Sequence, residues 1–224
     1  MSKTTPMMIF GVIAAAAVAA GGWWLTRPAP ASSGFSLAAA AQQAGAEQGE
    51  LLPDIILGNE AASVTLVEYA SYTCPHCANF HESVFGRLKA DYIDTGKVKF
   101  IHREVYFDKF GLLAAMVSNC AGPERYYALT GAIYETQRDW LGDGADATVS
   151  GNLMKIGLKA GMTQEALSAC MTDNERAQAM VSTFQARATA DDVNATPTLF
   201  VNGVKYPNMG YDALRQILDA ELAK

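Results

Sequence analysis

VTLVEYASYTCPHC, residues 64–77, is the stretch of sequence that decides the fold of this chain. Its first half, Val64 to Ala70, is a β-branched run suited to a buried parallel strand. Glu68 is the anomaly in that strand, because glutamate is rarely buried; the alternative is a strand edge that faces water. A short polar turn follows, so the strand leads into two closely spaced cysteines, Cys74 and Cys77.

A helix is predicted to begin directly after Cys74. Pro75 is tolerated in a first helical turn, because its missing N–H would have no partner there. Apolar residues then recur at the i, i+4, i+8 spacing of an amphipathic helix that ends near Thr95-Gly96; they are Phe80, Val84 and Leu88. Cys74 is therefore expected at a helix amino terminus.

The next segments predict a second strand and then a long helical region. Asp54–Leu57 is expected as a short edge strand, and Lys97–Val105 completes a βαβ unit with a right-handed crossover. Residues 107–189 carry helical patterns at Leu112–Cys120, Arg125–Gln137, Val149–Leu158, Gln164–Met171 and Glu175–Thr189. So much helix between strands indicates an insertion.

The carboxyl-terminal part returns to strands. Thr198–Val201 and Val204–Tyr206 flank Asn202-Gly203, a dipeptide that favours a tight hairpin because both turn residues accept positive φ. The apolar residues of Tyr211–Leu222 share one helical face. The whole pattern predicts an α/β fold with an inserted all-helical subdomain.

The amino terminus carries an uncharged apolar segment, Met7–Leu25, preceded by Lys3. This pattern is typical of an export signal or a membrane anchor. Its length favours an anchor, whereas Ala29-Pro30-Ala31 offers a cleavage site; we favour retention. We therefore assign residues 1–26 to a signal peptide or anchor, 27–50 to a flexible linker poor in large apolar side chains, and 51–224 to the folded domain.

Composition restricts the partners. The formal net charge is −6, so the chain has no basic stripe for nucleic acid. Hydrophobic residues make up 50 % of the chain, which is enough for a sizeable core. Export would place the four cysteines in an oxidising compartment, where disulfides persist.

A Cys-x-x-Cys pair can bind a metal, form a structural disulfide or act as a redox couple. A structural zinc site needs two further ligands, usually from a second close pair. Cys120 and Cys170 are far apart in sequence, and His81 and His102 are isolated, so no metal is expected. A structural disulfide would close a very short loop, and a cross-link across a short loop stabilises the folded state least because it restricts the unfolded chain least. We therefore expect a redox pair that needs no cofactor.

The helix start predicts the reactivity of Cys74. Unpaired N–H groups and the helix dipole stabilise a thiolate there, and a protonated His76 would add positive charge, so the pKa should fall below the free-thiol value of about 8.5. The alternative for His76 is an ordinary exposed turn histidine. A stabilised thiolate is a good leaving group, so the disulfide form is a strong oxidant and is expected to be donated to substrates.

Three segments together resemble the bacterial DsbA-type disulfide oxidoreductases of the thioredoxin superfamily. They are Glu68 to Cys77, Thr196-Pro197-Thr198 before a strand, and Val201-Asn202-Gly203, within a region from about Asp54 to Leu222. The resemblance implies a thioredoxin-like fold, with Cys74 as the exposed nucleophile and Cys77 as the buried partner. Pro75 and His76, between the cysteines, would tune the pair.

The resemblance also implies roles for other residues and for partners. Thr196-Pro197 is similar to the cis-proline loop that faces the active site and leaves a backbone edge free for an extended substrate; the alternative is a trans proline at a strand entry. Glu68 matches a buried acid that would assist proton transfer to or from Cys77. The implied partners are folding exported proteins and a quinone-linked membrane protein that reoxidises the pair, and the implied location is the periplasm, with anchoring by residues 7–25.

Other cysteines and aromatic residues lie in the helical region. Cys120 and Cys170 are candidates for a structural disulfide, worth about 4 kcal/mol by loop entropy; the alternative is two separate buried thiols. Aromatic side chains that could line a groove are better explained by core packing; they are Tyr126, Tyr127, Tyr134 and Trp140.

Two other functions compete with an oxidase. A disulfide isomerase or reductase would use the same dithiol when it is kept reduced. A non-catalytic module would instead bind a metal or a thiol through Cys74, Cys77 and His76.

Overall fold

The computed structural model of the protein describes residues 51–224. The signal peptide or anchor expected at 1–26 and the linker expected at 27–50 lie outside these residues. In the part of the chain that is described, no helix has both the length and the apolar character needed to cross a membrane. The described residues combine a mixed sheet with helices, so the predicted α/β fold with a helical insertion is confirmed.

The sheet has five strands in the order β1-β3-β2-β4-β5. These are β1 (Ile56–Leu57), β2 (Val64–Ala70), β3 (Val98–Glu104), β4 (Thr198–Val201) and β5 (Val204–Pro207). β2 and β3 are parallel, and the other neighbours are antiparallel. Because β2 is central, Glu68 lies between His102 on β3 and Leu199 on β4.

The helices connect and cover these strands. The first helical stretch, α1, runs from Pro75 through Ile93, between β2 and β3. The insertion comprises α2 (Lys109–Cys120), α3 (Pro123–Glu135), α4 (Gln137–Leu141), α5 (Asp146–Lys159), α6 (Gln164–Met171) and α7 (Asn174–Ala190); α8 (Tyr211–Leu222) follows β5. The insertion therefore separates the βαβ unit from the β4–β5 hairpin.

Helix α1 departs from the regular α-helix that the sequence predicts. Pro75–Phe80 is α-helical, but His81–Phe85 and Lys89–Ile93 are π-helical turns on either side of Gly86–Leu88. π-turns are rare and often occur at functional sites. The predicted apolar face is nevertheless buried, because a spacing of about four residues fits either kind of turn. Hydrophobic spacing alone could not distinguish the two geometries.

Two large clusters of buried side chains hold the domain together. One joins the sheet to α1 and α8 and includes Phe80, Phe100 and Leu214. The other lies within the insertion, around Trp140 and Leu153, and also contains Cys74 and Cys77. The cysteine pair therefore lies where the helical insertion packs against the βαβ unit.

Gly157 on α5 is a position where an added methyl group tests the packing of the insertion. An ideal Cβ there would lie 2.4 Å from Cδ2 of Leu167 on α6. Because Leu167 is fully buried, it has no solvent into which to move. We expect Gly157→Ala to lower the free energy of unfolding by about 1–3 kcal/mol, the range for overpacked cores, as measured by urea unfolding.

Gly151→Ala in the same helix is the matched control. A Cβ at Gly151 meets no atom within 4 Å. Replacing glycine inside a helix should here raise the free energy of unfolding by about 0.5–1 kcal/mol. Equal effects of the two substitutions would contradict the close approach of α5 and α6.

Candidate active site

Cys74 and Cys77 lie at the junction between β2 and α1. Cys74 is the N-cap residue, with φ −81° and ψ 119°, and Pro75 begins the helix. The Cys74 carbonyl accepts hydrogen bonds from the N–H groups of Cys77 (3.1 Å) and Ala78 (3.2 Å), which close the first turn. Cys74 retains 8 % of its surface and Cys77 none. Of the two sulfur atoms, that of Cys74 is therefore the one open to an incoming thiol.

The surroundings of Cys74 stabilise its thiolate. The Cys77 thiol donates a hydrogen bond to it, which is the largest contribution to a pKa lowered from 9.0 to about 5. Burial opposes this shift, while the Thr196 side chain and the backbone N–H groups of Cys77 and His76 add to it. The His76 N–H is available because the first turn of a helix lacks intrahelical acceptors, whereas the Cys77 N–H also donates to the Cys74 carbonyl. At neutral pH the reduced protein therefore holds Cys74 as a thiolate.

Cys77 has the opposite environment. Burial is the main reason why the pKa of its thiol is raised far above the ordinary value, and the hydrogen bond to Cys74 and the negative charge of Glu68 raise it further. Cys77 therefore keeps its proton throughout the physiological pH range. A negative charge is stabilised on one sulfur of the pair and opposed on the other.

Pro75 and His76, between the cysteines, are both exposed. From the sequence, we expected His76 to act through the charge of its imidazole. The structure places the backbone N–H of His76 among the groups that lower the pKa of Cys74. The His76 side chain lines an open groove next to the cysteine pair.

The loop before β4 forms the other wall of that groove. The peptide bond between Thr196 and Pro197 is cis. The Thr196 carbonyl oxygen lies 3.5 Å from Cys74 Sγ. Further residues that line the groove are Asn194, Ala195, Thr198, Lys205 and Tyr206. The structure thus brings the two segments that the sequence singled out, 74–77 and 196–197, to one place.

Glu68 faces the protein interior and has no exposed surface. Its Oε2 lies 3.0 Å from Nε2 of His81, the first residue of the π-turn in α1. Glu68, His81 and His102 each place one side-chain oxygen or nitrogen atom within 4.8 Å of those of the other two. The sequence-based description of His81 and His102 as isolated was therefore wrong.

Two different signals relate to these histidines. His81 follows Cys77 by four residues, so helical spacing could have placed both on one face of α1. His102 is the register partner of Glu68 on β3, and strand register cannot be read from one sequence. Only the contact of His102 therefore depends on tertiary structure; the spacing of His81 is a local signal in the sequence.

His102 is held by aromatic hydroxyls of the insertion. Its Nδ1 lies 2.8 Å from the Tyr126 hydroxyl and its Nε2 lies 3.0 Å from the Tyr134 hydroxyl. Burial, and then the proximity of His81, lower the pKa of His102 well below its usual value, so its ring is neutral. Tyr126, Tyr134 and Trp140 are buried, so these aromatic residues belong to the core.

Gln137, at the start of α4, is a further residue that the sequence did not indicate. Its Nε2 donates hydrogen bonds to the carbonyls of Tyr72 (2.8 Å) and Cys74 (3.0 Å). It is buried, and it fixes the turn that carries Cys74 to the insertion. No motif marks a single glutamine for this structural role.

The other two cysteines lie away from this pair. Cys120 ends α2 and is joined by a disulfide to Cys170 in α6, with the two Cα atoms 6.1 Å apart. The bridge cross-links two helices of the insertion. Cys74 and Cys77 are the free thiols of the chain.

Comparisons with known proteins agree with this architecture. A family model described as Thioredoxin matches residues 50–220. A Rickettsia typhi protein named "Putative protein-disulfide oxidoreductase" is 32 % identical over 170 residues, 75 % of this chain and 62 % of that protein. Disulfide bond formation protein D of Bacillus subtilis is 28 % identical over 180 residues, 75 % of this chain and 76 % of that protein.

A solved structure shows the same fold. The crystal structure of α-DsbA1 from Wolbachia pipientis matches with a TM-score of 0.71 and 28 % identity, covering 79 % of this chain and 94 % of that one. The chain therefore belongs to the thioredoxin family, and to its DsbA type with a helical insertion. The resemblance expected from the sequence motifs is confirmed. This chain spans about 62 % of the length of the Rickettsia typhi relative.

Proposed function

We propose that this chain is an exported thiol-disulfide oxidase that donates the Cys74–Cys77 disulfide to folding proteins outside the cytoplasm. The difference between the two thiols carries the proposal. Cys74 has a pKa of about 5, and Cys77 keeps its proton. A stabilised thiolate favours the reduced dithiol, so the disulfide form gives up its bond readily.

The transfer has two steps. A substrate thiolate attacks Cys74 Sγ, the bond between the two cysteines breaks, and Cys77 leaves and takes up a proton. A second substrate thiolate then attacks the substrate sulfur of this mixed disulfide, and Cys74 leaves as a stable thiolate. The substrate loses two thiol protons and gains a disulfide; Cys77 takes up one proton as a thiol, and the other goes to solvent because Cys74 remains a thiolate. Glu68 is proposed to supply and recover the Cys77 proton.

The groove beside the pair is the proposed substrate site. In this groove the backbone carbonyl oxygen of Thr196 lies 3.5 Å from Cys74 Sγ. An extended peptide can pair with exposed backbone at a sheet edge, which gives affinity with little sequence selectivity. Such a site suits an enzyme that acts on many partly folded proteins.

Sequence features support the proposed location. The apolar segment 7–25 would export the chain to the periplasm or anchor it at the inner membrane. The Cys120–Cys170 disulfide suits an oxidising compartment. By resemblance to DsbA-type proteins, a quinone-linked membrane protein would restore the Cys74–Cys77 disulfide.

The equilibrium of the Cys74–Cys77 pair with glutathione buffers tests the proposal. We expect a potential in the oxidising range of about −120 to −180 mV, because the Cys74 thiolate stabilises the dithiol. A value near the roughly −270 mV of thioredoxin would refute the oxidase and favour a reductase or an isomerase. A variant with Cys120→Ala and Cys170→Ala should give the same potential, which assigns the signal to the proposed pair.

A metal titration of the reduced protein tests the non-catalytic alternative. Tight, stoichiometric zinc binding that is lost in His76→Ala would support a metal-binding module that uses Cys74, Cys77 and His76. We expect no such dependence, because the His76 side chain is exposed and it is the backbone N–H of His76 that helps to stabilise the Cys74 thiolate.

A further inference from the structure

Opening the disulfide requires a proton at a buried atom. Cys77 has no exposed surface, and burial strongly raises the pKa of its thiol, so the leaving sulfur needs a proton as the bond breaks. Glu68 is close enough for its charge to affect Cys77, but Glu68 is also fully buried. A proton taken from Glu68 must therefore be replaced through another group.

His81 makes the polar contact that leads away from Glu68. Its Nε2 lies 3.0 Å from Glu68 Oε2. The second oxygen, Glu68 Oε1, and the second ring nitrogen, His81 Nδ1, have no hydrogen-bond partner among the described residues. Both of these unpartnered atoms are buried.

His81 also reaches the protein surface. Its side chain keeps 5 % of its exposure, against none for Glu68. The ring contributes to the wall of an open cleft between α1 and the end of α3, and this cleft is separate from the groove at Thr196-Pro197. The His81 ring therefore lies between this cleft and the buried carboxylate, and its Nδ1 is itself buried.

The position of the His81 ring is fixed by its neighbours. It stacks on Tyr134 at a centroid distance of 4.1 Å and on Phe85 at 4.7 Å. His81 is also the residue at which α1 changes from an α-helix to a π-turn. Such turns often occur at functional sites.

We propose that His81 is a proton-relay residue that acts through Glu68 on Cys77. When the disulfide opens, His81 Nε2–H passes a proton to the Glu68 carboxylate, Glu68 passes a proton to the Cys77 sulfur, and the buried His81 Nδ1 takes up a replacement proton that enters from the cleft. An imidazole can accept at one nitrogen while it donates from the other. Reoxidation reverses the three transfers, so Glu68 and His81 gain or lose no proton over a complete cycle. This inference rests on the proposed function for the identity of the reaction.

Several titratable or charged groups surround the relay. Three groups face His81: Glu68 from β2, His102 from β3 and Tyr134 from α3. The ring centroids of His81 and His102 are 5.9 Å apart. The cleft itself is lined by Glu82, Glu135, Arg138 and Asp139. His102 is neutral and bonded to two tyrosines, so it does not compete for the proton.

The rate of disulfide opening as a function of pH tests the relay. The oxidised full-length protein is mixed with glutathione, quenched with acid and alkylated, for the wild type and for His81→Gln. Glutamine can still donate a hydrogen bond to Glu68 but cannot pass a proton. We expect His81→Gln to react about tenfold more slowly at pH 8, within the range of general acid catalysis, and at nearly the wild-type rate at pH 5. Hydronium, which can serve Cys77 without a relay, becomes tenfold scarcer with each pH unit.

Two variants control this experiment. Glu82→Gln removes a charge from the same cleft next to His81 and should follow the wild-type rate at every pH. His81→Ala leaves space for a small buffer, and we expect its rate at fixed pH to rise with added imidazole while the wild-type rate stays flat. The equilibrium with glutathione should change less than twofold in His81→Gln, because a relay alters rates only.

Three results would overturn the relay. They are an equal slowing of His81→Gln at all pH values, a wild-type rate in that variant at pH 8, and stoichiometric zinc bound by wild type but not by His81→Gln with no change in rate. If His81→Gln does not fold, His81→Ala decides: a rate that rises with added imidazole supports the relay, and a rate that does not change refutes it. A thioredoxin-like potential with the expected pH profile would refute the oxidase but not the relay.

Discussion

Substitution of Cys74 by serine is expected to abolish disulfide transfer, whereas substitution of Cys77 by serine is expected to trap mixed disulfides. Cys74 is the more accessible sulfur, and its thiolate is stabilised by the helix start and by Cys77. Without Cys74 an incoming thiol meets only the fully buried Cys77. We expect turnover to fall to background, a loss of at least about a thousandfold, as for removal of a catalytic nucleophile.

Cys77→Ser isolates the first step of the exchange. Cys74 can still be joined to a partner sulfur, but the neighbouring thiol that would release the partner is gone. Incubation with the disulfide-linked dimer of a one-cysteine peptide should therefore give a stable adduct, because the bound peptide has no second thiol to expel Cys74; the adduct is detected by mass spectrometry after alkylation. The Cys120–Cys170 disulfide is present in both variants and serves as an internal mass control. Adducts at residue 77 in Cys74→Ser, or none at residue 74 in Cys77→Ser, would reverse the assigned roles.

The elements that carry the cysteine pair could be predicted because local chemistry determines them. The β-branched run of β2, the proline after Cys74 and the Asn202-Gly203 turn each favour one backbone geometry. The observed β2, β4 and α8 have the predicted bounds, Val64–Ala70, Thr198–Val201 and Tyr211–Leu222. Strong local preferences and the global fold agree in these segments.

The immediate surroundings of the pair could not be predicted in the same way. His102 reaches Glu68 through the parallel register of β2 and β3, and Gln137 reaches Cys74 through the packing of a helix more than sixty residues later. Neither contact leaves a periodic or local signal in the sequence. The π-turn at His81 adds a change of helical geometry that hydrophobic spacing does not report.

The helical insertion contributes side chains to the immediate surroundings of the cysteine pair. It supplies Gln137, which fixes the Cys74 turn, and the two tyrosines that lie at hydrogen-bond distance from His102 beside the Glu68–His81 pair. The βαβ unit supplies the helix start and the buried acid. The groups that lower the pKa of Cys74 lie in the helix start and at Thr196, whereas burial, to which the packing of the insertion contributes, is the main cause of the high pKa of Cys77.

Two opposite pKa shifts predict an unusual pH dependence for the stability of the reduced protein. Folding lowers the pKa of Cys74 from 9.0 to about 5, so between these pH values the unfolded chain holds one more proton than the folded protein at this site. Stability then rises with pH, and this contribution is lost as pH falls towards 5. Folding raises the pKa of Cys77, so above about pH 9 only the unfolded chain releases that proton and stability declines.

Urea unfolding of the reduced and oxidised proteins across pH measures this effect, because the oxidised pair does not titrate. The free energy of unfolding of the reduced protein, minus that of the oxidised protein, is expected to increase by about 2 kcal/mol between about pH 5.5 and 7.5 and to pass a maximum near about pH 9. Solvent screening of the partly accessible sulfur keeps the rise below the limit of about 1.4 kcal/mol per pH unit. In reduced Cys74→Ala the rise should vanish while the decline above about pH 9 remains. Parallel curves for the reduced and oxidised wild type would show that the Cys74 thiolate is not stabilised, and the oxidising power proposed for the pair would lose its physical basis.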